Sequence, residues 1–190
     1  RTVPEMEKVL EELKNLIRYR QKYMMEEEQE QQHQQQQQQQ GHSTHNGNGS
    51  SSSSGSSNGS NGSAPHVKQQ QEGHLVAIGL SARKNLCIHP NVSIEYDGAK
   101  VDSMCRSMTA SWVRENAAEY PDPREAGIEL CDYFEEFEKS GIQSILPDGV
   151  YTLKDLKTFG RRYGWCPYFL ARRAIEYANI VVYSYSYMLD

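Results

Sequence analysis

Residues 26 to 74 divide this chain in two. These 49 positions hold almost only Glu, Gln, His, Asn, Gly and Ser, with a Gln run at 34–40 and a Ser/Asn/Gly tract at 46–63. Such a stretch cannot bury enough apolar surface to offset the entropy of ordering it. It reads as a disordered surface insertion between two folded elements. Hydrophobic residues make up 37% of the 190 positions, but nearly all core formers lie in the other 141. That suffices for one domain or two small ones. The insertion holds five acids and one lysine, a net of −4, so −1 of the total −5 remains elsewhere. A uniformly basic nucleic-acid binder is excluded on that balance, whereas a local basic patch is not. Five of the six histidines (33, 42, 45, 66 and 74) fall in the insertion at irregular spacing and read as drift within the repeats rather than ligands. No apolar run approaches the roughly 18 residues of a membrane span, and no signal-peptide pattern opens the chain. The first residue is Arg1 rather than Met, which reads as a fragment or a processed product.

Outside the insertion, residues 1–25 read as one amphipathic helix. Thr2 and Glu5 have capping-box spacing, Pro4 lies in the first turn, and Met6, Val9, Leu10, Leu13, Leu16 and Ile17 recur on one face. Leu75–Gly79 is a short apolar run fit for a strand. Ile180–Tyr185 is a stronger one, continuous rather than alternating, as in a strand covered on both faces. Between them the chain looks mainly helical. Met104, Cys105, Met108 and Trp112 mark one helix, and Leu130, Phe134 and Phe137 a second. A third opens at Thr152-x-x-Asp155 and ends at Gly164, and a fourth runs from Cys166-Pro167 to about Ala178. The pattern is a helical module spliced between strands of an α/β core.

The four cysteines, Cys87, Cys105, Cys131 and Cys166, are separated by 17, 25 and 34 residues and all lie in the helical module. Two disulfides would suit a small secreted frame, which this is not. A structural zinc site takes four thiolates but usually draws them from close C-x₂₋₄-C pairs, and none exists here. An iron–sulfur cluster also takes four thiolates and is wide enough to be held from four separate elements. Four unlinked buried thiols are the remaining reading. Spacing does not choose among cluster, zinc and unlinked thiols. At Cys166, followed by Pro167, the thiolate would sit at a helix N-cap, where unsatisfied N–H groups and the macrodipole favour negative charge.

Charge in the module is segregated. Residues 115–138 contain nine acids and one Arg, whereas 154–173 contain six Lys/Arg and one Asp. The basic set (Lys154, Lys157, Arg161, Arg162, Arg172 and Arg173) surrounds Cys166. It reads either as a phosphate-binding face or as a solvated helix face paired with the acidic segment. Tyr168 and Arg172 are four residues apart on one helix face, so a ring and a guanidinium stand where an unpaired base and its phosphate could be held. Arg83 and Lys84, just before Cys87, could add phosphate contacts or neutralise a negative cluster.

Two strings carry a resemblance: Ser81-Ala82-Arg83-Lys84-Asn85-Leu86-Cys87-Ile88-His89-Pro90 and Gly160-Arg161-Arg162-Tyr163-Gly164-Trp165-Cys166-Pro167-Tyr168-Phe169-Leu170-Ala171-Arg172. Together they resemble the iron–sulfur DNA helicase family of the xeroderma pigmentosum group D type. Arg1–Glu5 resembles the family's segment after motif Ia, and Ile180–Tyr185 with Tyr187–Asp190 its strand after the cluster domain. The resemblance implies part of a RecA-like α/β helicase motor domain with an inserted, mainly helical 4Fe-4S cluster domain. The implied layout is 1–25 motor helix, 26–74 insertion, 75–82 motor strand, 83–178 cluster domain and 179–190 motor strand.

By the same resemblance, Cys87, Cys105, Cys131 and Cys166 match the ligands of a [4Fe–4S] cluster. Arg83 matches an arginine that stabilises the cluster region, and Tyr168 with Arg172 match a pair lining a single-strand pocket. Lys84, Arg161 and Arg162 are the further expected DNA contacts. The implied whole protein is a nuclear, ATP-dependent 5′-to-3′ helicase of factor IIH, acting in nucleotide excision repair and transcription initiation. Its implied partners are single-stranded or forked DNA and other subunits of that factor, with no membrane. Two departures fall outside the motifs: the insertion itself and a longer Pro-rich segment at Tyr120–Gly127. No G-x-x-x-x-G-K-[ST] loop and no Asp-Glu-Ala-His box occurs in the 190 residues, so ATP and Mg²⁺ are expected only of the parent protein. A non-catalytic, zinc-stabilised interaction module is the alternative of a different class.

Overall fold

The computed structural model describes residues 2–41, 75–184 and 187. The sequence-based readings of 42–74, of His42, His45, His66 and His74, and of Tyr185 and residues 188–190 lie outside the described residues. Helix α1 spans Val3–Gly41. It does not stop at Met25, and residues 26–41, expected to be disordered, are helical. The reason is local. Glu and Gln rank among the better helix formers, and no Gly or Pro interrupts them before Gly41. At its start the Thr2 N–H donates to Glu5 Oε2 at 2.7 Å, one half of the expected capping box.

The chain divides into two units within α1, after Leu16. In the second unit, Ile17 is half-buried and the described residues 18–36 are exposed. The first unit holds everything described up to Leu16 and from Leu75 onward. There the apolar face of α1 is only partly covered: Met6 and Leu10 are fully buried, whereas Val9 and Leu16 are exposed.

The centre of the first unit is a parallel sheet of order β2-β1-β3, with β1 at Val76–Leu80, β2 at Gly149–Tyr151 and β3 at Ile180–Tyr183. Val76 pairs with Gly149 on one side, and Ala77 pairs with Ile180 on the other. Every residue of β1 is buried. The stronger apolar run, β3, is not the central strand: Ile180, Val181 and Val182 are half-buried and Tyr183 is exposed. Among the described residues no strand pairs with its outer edge. Strand β2 was not expected. Three residues opening on Gly149 carry no readable period, and their pairing partner is remote in sequence.

The helices are α2 (Arg83–Leu86), α3 (Gly98–Thr109), α4 (Ser111–Ala117), α5 (Asp132–Glu136), α6 (Leu153–Tyr163) and α7 (Pro167–Ala174). The expected helix through Met104 and Trp112 is broken at Ala110, whose ψ of 146° is extended. Helix α5 continues as a π turn over Phe137–Gly141. Helix α6 is built as its sequence demands, with a full Thr152/Asp155 capping box and Gly164 at φ 73° closing it in the left-handed region. Helix α7 ends at Ala174, about a turn earlier than expected, and turns follow to Tyr177.

Two joints bind these helices to the sheet. Only Ser81 and Ala82 separate β1 from α2, and Ser81 is buried with its Oγ accepting from Asn85 Nδ2 at 2.8 Å. At the other end Asn179 exchanges hydrogen bonds with Val76, N–H to carbonyl and Oδ1 from N–H, both 2.8 Å. Helix α1 reaches α6 through Glu7, whose carboxylate accepts the Leu153 N–H at 2.8 Å, and through a Lys14–Asp155 ion pair.

Candidate thiol centre and nucleic-acid interface

Four elements each deliver one cysteine. Cys87 is the C-cap of α2, Cys105 lies within α3, Cys131 is the N-cap of α5 and Cys166 the N-cap of α7 with Pro167 at its first helical position. Backbone bonds fix the last two. Cys131 N–H donates to Met108 O at 3.3 Å and Cys166 N–H to Tyr133 O at 2.9 Å, tying α5 to α3 and α7 to α5. Gly160 lets α7 approach α6, since a Cβ there would stand 2.6 Å from both Pro167 Cγ and the Trp165 carbonyl. All four thiols are free; Cys131 and Cys166 are buried, and Cys87 and Cys105 partly exposed.

The thiols sense one another. Burial pushes Cys166 up to about 12 and Cys131 up to about 11, and raises Cys87. In each of the three a charge on Cys105 adds to the rise. Backbone N–H groups act in the opposite sense: Phe169 and Tyr168 on Cys166, Phe134 and Tyr133 on Cys131, and His89 on Cys87. The expected N-cap effect at Cys166 is thus present but smaller than the cost of burying a thiolate. Two cations interact with these thiols: Lys157 lowers Cys87, and Arg83 is raised by Cys105. Among the described residues no three His, Cys, Asp or Glu side chains are grouped as they would be around a single metal ion.

Arg83, Tyr168 and Arg172 meet beside these thiols. The Arg83 guanidinium lies 4.4 Å above the Tyr168 ring centre and that of Arg172 lies 5.5 Å from it. Arg172 Nη1 donates to the Tyr168 hydroxyl at 3.3 Å and to the Tyr187 hydroxyl at 2.8 Å. Phe169 closes the edge of the ring at 5.2 Å between centroids. Tyr168 is left 7% exposed, so the ring offered for base stacking is covered by its own neighbours. Arg83 also bonds Asp102 at 3.4 Å, and its Nε is buried with no acceptor. Burial opposes the charge of Arg83, but Tyr168, Cys105 and Asp102 outweigh it and raise the group above its ordinary value.

The other expected contacts lie apart. Lys84 is exposed and donates to the Tyr96 carbonyl. Arg161 and Arg162 are exposed in the last turn of α6, the Arg162 guanidinium 5.6 Å above the Tyr163 ring. The acidic segment does not pair with this face. Arg114 forks onto Glu135 at 2.8 and 3.2 Å, and Arg124 reaches Asp132 at 3.1 Å. Lys154, Lys157 and Arg161, spaced to share one side of α6, make no ion pair among the described residues. Sequence reasoning missed Asp102 and Tyr187. Each is a lone polar residue whose partner is distant in the chain, and neither carries a local signal.

A parallel sheet flanked by helices, four of which carry or border a free cysteine, fits the α/β fold of a helicase domain. This chain belongs to the DEAD_2 family, whose model matches residues 63–190. The chain is 50% identical over 119 residues to the general transcription and DNA repair factor IIH helicase subunit XPD of Arabidopsis thaliana, covering 63% of this chain and 15% of that protein. To the subunit of the same name from Dictyostelium discoideum it is 46% identical over 115 residues, 60% and 14% of the two chains. Regulator of telomere elongation helicase 1 of Homo sapiens is 26% identical over 111 residues, 58% and 8%. The XPD-type resemblance of the two motifs is therefore shown, and the chain spans about a seventh of the XPD relatives it matches. No helix among the described residues is long and apolar enough to cross a membrane.

Proposed function

We propose that this chain is the iron–sulfur portion of an ATP-dependent 5′-to-3′ DNA helicase of factor IIH, acting in the nucleus in excision repair and transcription initiation. In this reading Cys87, Cys105, Cys131 and Cys166 hold a [4Fe–4S] cluster. What supports it is that four elements each bring one free thiol, that Cys87, Cys131 and Cys166 are each raised by a charge on Cys105, and that Arg83, which also feels Cys105, keeps a buried N–H with no acceptor. The donor set fits. Thiolates are the ligands such a cluster takes, the ligands of a cubane stand farther apart than those of one ion, and an unpaired N–H suits a sulfur acceptor. When bound, the cluster would supply iron–sulfur bonds that cross-link α2, α3, α5 and α7.

The chain's own residues do the rest. Lys154, Lys157 and Arg161 offer charge to a phosphate backbone, and Arg172 in the last turn of α7 is a further exposed cation. A rigid module of this kind at a fork parts two strands by position, guiding one along its cations. ATP hydrolysis belongs to the whole protein, because the phosphate loop and the Asp-Glu-Ala-His box are not among these residues. Other subunits of factor IIH are the expected partners.

The test is iron and acid-labile sulfide content, with a visible spectrum, on anaerobically purified protein. About four irons and four sulfides per chain with brown absorption are expected. Stoichiometric zinc in a colourless folded sample would overturn the cluster and favour an interaction module.

A further inference from the structure

Tyr168 is the least accessible member of the proposed DNA face, and its surroundings give it a different task. Its ring is 7% exposed and carries the Arg83 guanidinium at 4.4 Å, a cation–π contact formed largely out of water. A base could stack there only by displacing that arginine. Arg83 in turn has three charged or polar neighbours, Tyr168, Cys105 and Asp102. Asp102 takes one end of the fork at 3.4 Å, and Nε remains buried without an acceptor. Ring and carboxylate together hold the guanidinium where the charge of Cys105 is felt, four residues before Cys87 in the chain. The hydroxyl makes no hydrogen bond to Arg83; it accepts from Arg172.

We infer that Tyr168 is a positioning residue: its ring holds the Arg83 guanidinium against the thiol centre, so that it acts on the bound cluster through that arginine rather than by stacking a base. The inference rests on the cluster reading above and assigns its second layer. The ring is the active part and the hydroxyl is not, which separates this role from general packing and from DNA contact.

Four variants of the full 190-residue chain test it: Tyr168→Phe, Tyr168→Leu, Arg83→Met and the double Arg83→Met/Tyr168→Leu. Each is scored by iron and sulfide content and by the half-time of bleaching under a fixed concentration of iron chelator. Tyr168→Phe should keep the parent half-time within about twofold, and Tyr168→Leu should shorten it about threefold to tenfold. Arg83→Met should shorten it as much, with the double variant within about twofold of Arg83→Met alone. A second readout is the Arg83 Nε–H resonance, shifted upfield by the ring in the parent and in Tyr168→Phe and relaxed in Tyr168→Leu. The inference is overturned if Phe bleaches as fast as Leu, if the Leu and Met effects multiply, or if the resonance ignores the ring. A parent chain without iron and sulfide removes the cluster reading itself, and this inference with it, whereas a loaded parent with the wrong variant pattern removes only the inference.

Discussion

Single side chains in this protein are fixed by contests between burial and local hydrogen bonding. At Cys166 burial wins, and the thiol is pushed up to about 12 although two α7 N–H groups oppose it. If Cys166 is the cluster ligand proposed above, Cys166→Ser should lose iron and single-strand binding together, and retained iron with unchanged binding would refute the assignment. At Asp155 the contest goes the other way. Burial raises it, but hydrogen bonds from Lys14 and Thr152 outweigh burial and hold the carboxyl below its ordinary value of 3.8. A depressed carboxyl stabilises the fold above its unfolded value and loses that contribution as pH falls through the folded one. The thermal midpoint should therefore fall as pH drops below about 3.8, and Asp155→Asn should flatten that part of the profile. Arg172→Ala removes an exposed cation six residues after Cys166. It should leave cluster absorption intact while lowering the salt slope of single-strand binding by about 0.7; equal slopes for parent and variant would remove Arg172 from the interface.

Elements follow their sequence where their chemistry is local. The Thr152/Asp155 box and Gly164 announced both ends of α6, and the structure keeps both. Thr152→Ala should cost about 1 kcal/mol or somewhat more, read by chemical denaturation, because it unmakes a cap that is itself buried. Helix α1 teaches the opposite lesson. Low complexity from Glu26 onward suggested disorder, yet the propensity of Glu and Gln carries the helix to Gly41. Composition says whether a segment can build a core, not whether it can be helical. Gln36→Pro should therefore remove helical circular dichroism without moving the unfolding midpoint of the rest. An unchanged spectrum would count against a helix there.

For the whole molecule, the legible part was the α/β class and the two motifs that carry family membership. What remained hidden depends on contacts between distant residues. Strand β2 exists because Gly149–Tyr151 finds β1, and the cover on Tyr168 exists because α2 brings Arg83 over α7. The Tyr168–Arg172 pair could be read from four-residue spacing, whereas the guanidinium that blocks its ring could not. Segregation of charge was legible too, but its meaning was not. Of the acidic segment, Glu135 and Glu138 pair with Arg114 and Asp132 with Arg124, and among the described residues none pairs with Lys154, Lys157 or Arg161. Replacing Lys154, Lys157 and Arg161 together by Gln should weaken binding to all single strands alike and lower the salt slope by about 2.

The two-residue joint between β1 and α2 has a mechanical meaning. Ser81 is buried and bonded to Asn85, and Arg83 and Cys87 follow within a turn and a half. Such a joint has no slack, so it behaves as a weld and not as a hinge. A twist applied to the central strand should therefore be passed to the arginine and the first thiol, and a stiffer thiol centre should be felt by the strand. Sheet and site form one lever, and a single glycine inserted after Ser81 would be enough to uncouple its arms.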